Sequence, residues 1–260
     1  MKVAGSLKIV STRERPDLAE RAGERAGDVW PEYNKHGDVV SEYWGRLDEV
    51  FPDFQFVLHE EEDDEVLAEG HSIPCSWDGT VAGLPDGIDG VIAGGFRLHE
   101  HGEAPTTLSA LAIVILPEHR NKGLSRVMVE AMGGIAAEHG FADLIAPVRP
   151  SWKERYPLTP VERYVRWTRD DGLPFDPWLR VHHRLGGKIL RTEPQSLRIS
   201  GTVAEWEGWT EMRFPESGEY VFPNGLAPVV IEREADSGIY FEPNVWMRHR
   251  ATTAATRSRT

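Results

Sequence analysis

ALAIVILPEHRNKGLSRVMVE, residues 110–130, changes character twice. Ala110 to Leu116 is an unbroken apolar run, the pattern of a strand buried on both faces. Pro117 to Lys122 is a short polar connection. From there Leu124, Val127, Met128, Ala131 and Ile135 recur at spacings of three and four, which predicts a helix over 123–139 with Gly140 as its stop. A strand, a tight turn and a helix start aim unpaired backbone N–H groups at one point, with the positive end of the helix dipole behind them. Such a terminus accepts a phosphate group. Gly123 allows close approach there, because it has no side chain to stand in the way. His119, Arg120, Lys122 and Arg126 surround the turn against one acid, Glu118.

That local positive charge stands out because the 260-residue chain carries a formal net charge of -13. Such a chain repels a phosphodiester backbone, which argues against nucleic acid as a partner. It favours cationic small molecules, amines among them. With 40% hydrophobic residues the chain has enough apolar side chains for a proper core. Mean hydropathy is -0.41, and no apolar run approaches the roughly 18 residues of a membrane span. Met1 to Ser11 lacks the basic-then-apolar pattern of a secretory signal. Cys75 is the sole cysteine, which excludes an internal disulfide and a cysteine metal cage. The expectation is a soluble, cytoplasmic protein with no membrane partner.

Working outward, a strand fits Ser6 to Thr12, followed by helices over Pro16–Trp30 and Asp38–Phe51. Strands fit Phe54–Leu58 and Val66–Trp77, joined by the acidic run Glu60 to Glu65. That run reads as a solvated turn, since nothing in the sequence makes its carboxylates converge. Leu84 to Gly95 reads as a loop leading into a short strand, and Ala142 to Val148 as a buried strand. Pro150 to Asp176 is irregular and aromatic, with a helix over Val161–Arg169 as its most regular part. Asp176-Pro177 opens a helix to about Leu185, with Asp as cap and Pro at the first helical position. A strand follows over Lys188–Ile199, and Val203–Met212 fits helix or strand equally.

The turn Arg120-x-x-Gly123-x-Ser125 resembles the pyrophosphate loop [R/Q]-x-x-G-x-[G/A] of the GNAT (Gcn5-related N-acetyltransferase) superfamily, with Ser125 in place of the usual Gly or Ala. The element order from Ser6 to Ile199 is similar to that family's order, and the whole chain resembles actinobacterial members with a long C-terminal extension. The resemblance implies an α/β fold, in which a mixed, mostly antiparallel sheet is flanked by helices. It implies one domain over 1–250, with a core of about 6–200 and an extension over 201–250. Residues 251–260 would form a disordered tail.

The implied activity is transfer of an acetyl or other acyl group from acyl-coenzyme A to the amine of a small molecule, directly within a ternary complex and without a metal. The implied cofactor-binding residues are Ile113, Val114 and Ile115 on the strand, then Arg120, Asn121, Lys122, Gly123, Leu124, Ser125 and Arg126 at the turn. Phe141 to Pro150 takes the place of the strand that splays to admit the pantetheine arm. His182, four residues before Gly186, occupies the position where relatives carry an acid tyrosine. It shares a helix face with Trp178, Val181 and Leu185, and an imidazole with a pKa of about 6.5 can serve as an acid. A core histidine is the plain alternative. Tyr156 and Tyr164 are rival acids. Leu111 to Ile115 holds no carboxylate for a base, which leaves a water chain, Glu69, His71 or Asp89. Trp152 and Trp167 are candidate walls of an acceptor pocket, His183 faces solvent, and Cys75 reads as a buried, inert thiol. Two other readings stay open: a non-catalytic acyl-coenzyme A sensor, and a transferase for longer acyl chains or hydroxyl acceptors. A homodimer is one option for the assembly.

Overall fold

Residues 6–252 are described by the computed structural model. The expected tail therefore lies outside the described residues from 253 onward. Among the described residues nine strands and eight α-helices follow in order. They are β1 (Leu7–Ser11), α1 (Pro16–Ala26), α2 (Val40–Tyr43), α3 (Leu47–Val50), β2 (Gln55–Glu60), β3 (Val66–Cys75), α4 (Gly87–His101), β4 (Thr107–Ile115), α5 (Leu124–Glu138), β5 (Asp143–Val148), α6 (Val161–Tyr164), α7 (Pro177–Arg184), β6 (Lys188–Gly201), α8 (Val203–Thr210), β7 (Gly218–Tyr220), β8 (Val229–Glu232) and β9 (Ser237–Arg250).

The sheet runs β1-β2-β3-β4-β5-β9-β8-β7, with β6 also paired to β9. Every pairing is antiparallel except β4 with β5. That parallel pair meets only at Leu108–Leu144 and Ser109–Ile145, and beyond Ser109 the two strands part. In β3 and β4, His71 faces Ala112 while Ser72 faces Ala110, so Leu111 is bulged out beside the parting. Helix α5 covers one face, packing Leu124, Met128, Met132 and Ala136 against Phe56, Leu58, Ala68, Leu108 and Leu144. Helix α1 lies on the other face, with Leu18 and Ala22 against Val10, Val57 and Val66. No helix among the described residues is long and apolar enough to cross a membrane.

Three expectations need correction. Leu84–Gly95 is not a loop and short strand: helix α4 begins at Gly87. Four glycines weaken that helix locally by up to about 1 kcal/mol each. Burial of Val91, Ile92 and Phe96 against the sheet outweighs them, and a Cβ on Gly95 would stand 2.5 Å from Ile73 Cδ1. Asp38–Phe51 is broken into α2, one 3-10 turn and α3 instead of one continuous helix. In the aromatic segment only Val161–Tyr164 is α-helical. Past it, Phe175 N donates to Trp167 O and Arg169 N to Leu173 O, and the chain doubles back.

The segment 201–250 also differs in kind from an extension following a finished core. Its last part, β9, lies between β5 and β6 in the sheet, and 202–236 is an excursion whose β7 and β8 extend the sheet from the start of β9. Val203–Thr210 resolves as a helix, opened by a capping box between Thr202 and Glu205. The excursion buries Trp206, Phe214, Phe222, Val229 and Ile231 together with Tyr33 and Tyr240.

Candidate active site

The parting of β4 from β5 opens a cleft of about 570 Å³, bordered by Ile113, Val114 and Ile115 on one side and Arg149 on the other. Trp30, Trp178 and Val181 close it, and Arg120, Asn121 and Ser125 stand at one end. A neighbouring cleft runs past Gly123, Ser125, Arg126, Val181 and Arg184. Both lie where the sequence places a cofactor.

The turn between β4 and α5 is built from backbone. Gly123 caps the helix with φ +77, a left-handed conformation that favours glycine, and space for a Cβ is open on that side. Among the described residues, the amides of Asn121, Lys122, Gly123, Leu124 and Ser125 have no protein acceptor. Glu118, the one acid of the turn, is paired with Arg25, and Arg126 is paired with Glu130 at 3.1 Å. Arg120 donates only to the carbonyl of Ile115, at 3.3 Å. The turn therefore keeps a cationic rim around free N–H groups, a set that fits a diphosphate. Two residues take other places. The Leu124 side chain is buried under the sheet, so only its amide faces the turn. His119 is buried rather than on the rim, with Nδ1 3.2 Å from Lys122 Nζ and Nε2 3.3 Å from Glu65 Oε1.

His182 does point inward. It borders a small inner cavity that continues from the cleft between Ala110–Ile113 and Ala146–Arg149. Its Nδ1 lies 2.8 Å from His249 Nε2, while its buried Nε2 has no protein partner. The edge of its ring meets Trp178, with centroids 4.4 Å apart. Burial, and then the neighbouring His249, push its pKa down to about 3. The expectation of an imidazole titrating near neutrality is thus corrected: burial keeps this ring neutral. A neutral ring still offers one N–H, and the bond to His249 decides which nitrogen carries it. If His249 donates, His182 Nε2–H points into the cavity.

Opposite stands a polar network that sequence reasoning missed. Glu242 accepts from Arg149 Nε at 3.0 Å, from Asn34 Nδ2 at 3.2 Å and from Tyr240 OH at 3.3 Å. Arg149 Nη2 also donates to Tyr33 OH and to the carbonyl of Asn224, in the 202–236 excursion. Burial opposes the Arg149 charge most strongly, but Glu242, Tyr33 and Tyr240 together outweigh it and raise the pKa. Burial also raises the Tyr33 phenol, so it stays protonated. The available signal was period two: Tyr240, Glu242 and Asn244 alternate along one face of a strand otherwise rich in apolar residues.

The remaining candidates sort clearly. Tyr164 donates to Asp176 Oδ2 at 2.9 Å inside an aromatic knot, and burial raises its pKa. Tyr156, Trp152 and Trp167, the rival acid and the candidate pocket walls, pack into the same knot around Phe175, and none of the three lines the two clefts or the inner cavity. The same Asp176 caps α7 through the amides of Trp178 and Leu179, as predicted. Burial pushes Cys75 up to about 12, which leaves an unreactive thiol. Burial pushes Asp89 up to about 6, with Arg198 N donating to it at 2.8 Å. Glu69 and His71 face each other at 3.2 Å in a separate cavity. His183 is exposed. The acidic hairpin does converge after all, with one carboxylate oxygen each of Glu60, Asp63 and Glu65 within 4.8 Å of one another.

The sequence model of the acetyltransferase (GNAT) family matches residues 38–155. The chain is 31% identical over 265 residues to the arginine N-acetyltransferase avaD of Aspergillus versicolor, covering 90% of this chain and 91% of that protein. Among solved structures it is similar to the loading GNATL domain of CurA from Lyngbya majuscula. There the identity is 18% and the TM-score 0.58, covering 95% of this chain and 98% of that one. It is also similar to the GphF GNAT-like decarboxylase in complex with isobutyryl-CoA, at 15% identity and TM-score 0.52, covering 95% and 100%. These two share its fold.

Proposed function

The chain belongs to the GNAT acetyltransferase family, and from that premise we propose that its acceptor is a cationic, amino-acid-sized amine of the arginine class. The activity itself is acyl-coenzyme A-dependent N-acyl transfer. The observation that carries the acceptor is the 31% identity to an arginine N-acetyltransferase across nine tenths of the chain, cleft elements included. The net charge of -13 agrees with it, since a cationic acceptor is drawn to such a surface.

When bound, acyl-coenzyme A supplies the thioester whose acyl group passes to the amine. In this reading the free amides of Asn121–Ser125 and the α5 dipole hold the diphosphate, with Arg120, Lys122 and Arg126 as the cationic rim. The backbone of Ile113, Val114 and Ile115 flanks the arm where β4 has left β5. His182 presents Nε2 to the reacting centre. With His249 donating to Nδ1, the neutral His182 offers Nε2–H as a hydrogen-bond donor to the sulfur, and the proton that the amine loses as the N–C bond forms passes to the thiolate released from the broken C–S bond. The network of Glu242, Arg149 and Tyr33 fixes the polar wall of the inner cavity. The catalytic relative does not favour the sensor reading.

The test is thiol release from acetyl-coenzyme A with a panel of amines. Release that depends on arginine or a close analogue is expected. A preference for neutral or aromatic amines overturns the acceptor assignment.

A further inference from the structure

On the α1 face of the sheet lies a second cavity, of about 290 Å³, that the transfer chemistry above does not use. Two indoles, Trp30 and Trp44, stand in its wall, and two carboxylates, Glu69 and Asp48, reach it. Glu69 is buried, and its carboxylate is paired with His71 Nε2 at 3.2 Å. The other nitrogen of His71 lies 3.2 Å from Gln55 Oε1, and the Trp44 ring is 5.0 Å from the imidazole. Asp48 is exposed and accepts from Thr12 Oγ1 at 2.8 Å. Two carboxylates against one imidazole leave the cavity anionic whichever form His71 takes. Asp48, Glu69 and His71 are the titratable groups of its lining.

The cavity is also placed to serve the cleft. Glu69 stands opposite Val114, and His71 opposite Ala112, across β3 and β4. Directly opposed residues project from the same face. Val114 borders the cofactor cleft, Ala112 the inner cavity, and Trp30 borders all three spaces. We propose that this cavity is the specificity pocket of the acceptor, in which Glu69 and Asp48 bind a guanidinium group flanked by Trp30 and Trp44. The assignment rests on the reading of the acceptor as a cationic amine. A guanidinium suits the site because its planar fork pairs with carboxylates while its face stacks on indole. The amine to be acylated then extends past Trp30 toward His182 Nε2.

The experiment uses the full chain, with arginine and citrulline as probes, since citrulline replaces the guanidinium by a neutral urea. Binding is followed by calorimetry and turnover by thiol release from acetyl-coenzyme A, in the wild type, Glu69→Gln and Asp48→Asn. Glutamine keeps the size of Glu69 and an oxygen for His71, so the fold is retained. Arginine is expected to be favoured over citrulline in kcat/KM by about ten- to a hundredfold, the range for a hydrogen bond to a charged group. In Glu69→Gln that ratio is expected to fall toward one, through arginine alone, and in Asp48→Asn to fall by less. Turnover of arginine with a ratio unchanged in both variants overturns the pocket and leaves the acceptor reading standing. Arginine binding that needs Glu69 but gives no turnover overturns the acceptor reading and, with it, the pocket's role in acceptor choice, leaving only a guanidinium-binding cavity. Neither binding nor turnover of arginine overturns both.

Discussion

The two ends of the cleft are made from different material. At the β4–α5 turn the groups proposed to face the ligand are backbone amides from consecutive residues, Asn121 to Ser125. At the inner cavity the lining groups are side chains, Asn34, His182, Glu242 and Asn244 among them, backed by Tyr33 and His249. A backbone site needs only a local conformation, so it tolerates changes of side chain but not of main-chain geometry. A side-chain site needs distant segments held in register, so single replacements there disturb both the chemistry and the packing.

Gly123→Trp tests the first half of that contrast and carries the largest effect. The variant should show no detectable calorimetric binding of coenzyme A. Because φ is +77, it should also lose about 1–2 kcal/mol of stability while remaining folded. Retained affinity would move the diphosphate elsewhere.

Glu242→Ala tests the second half. It leaves the Arg149 guanidinium, partly buried, without its carboxylate. The expected loss is about 3 kcal/mol, the low end for breaking a buried pair, read from urea unfolding with the slope unchanged. A loss below about 1 kcal/mol would show that Tyr33 and the Asn224 carbonyl suffice to hold Arg149.

His182→Phe separates chemistry from binding within the inner cavity. Turnover should fall by about a hundredfold or more while coenzyme A affinity stays the same. Unchanged turnover would remove His182 from the mechanism. The same variant has a signature in acid. Wild-type His182 has a pKa near 3 in the folded chain against about 6.5 unfolded. As pH falls through 6.5, the unfolded chain takes up a proton that the folded ring refuses. The stability held above pH 6.5 is therefore lost at up to about 1.4 kcal/mol per pH unit on the way to pH 3. His182→Phe should lack that slope. An identical acid limb in both proteins would place the titration elsewhere.

The same division explains what the sequence disclosed. The β4–turn–α5 unit was legible because the strand, Gly123 and the helix periodicity are all neighbours in the chain. The Asp176 cap and the inward face of His182 were legible for that reason too. Helix α4 was not, because its glycines argue locally against a helix that burial of Val91, Ile92 and Phe96 imposes. Nor was the place of β9, since nothing within Ser237–Arg250 says that it slots between β5 and β6. Once it does, it brings Glu242 to Arg149 and His249 to His182.

The finest test of the contrast is Ser125, which borders both the cleft proposed for the cofactor and its neighbour, and stands where the family motif carries Gly or Ala. If the amides do the binding, Ser125→Ala removes a hydroxyl but keeps the N–H and the helix start. Coenzyme A affinity should then change by less than about threefold, the scale of a neutral hydrogen bond at its weakest. Ser125→Gly should behave alike, apart from a stability loss of up to about 1 kcal/mol, because glycine is the poorer helix former. A charge-assisted bond from the hydroxyl to a phosphate would instead be worth about 1.5–3 kcal/mol, or tenfold and more in affinity. A drop of that size in both variants would make the turn a side-chain site like the inner cavity, and the difference between the two ends of the cleft would vanish.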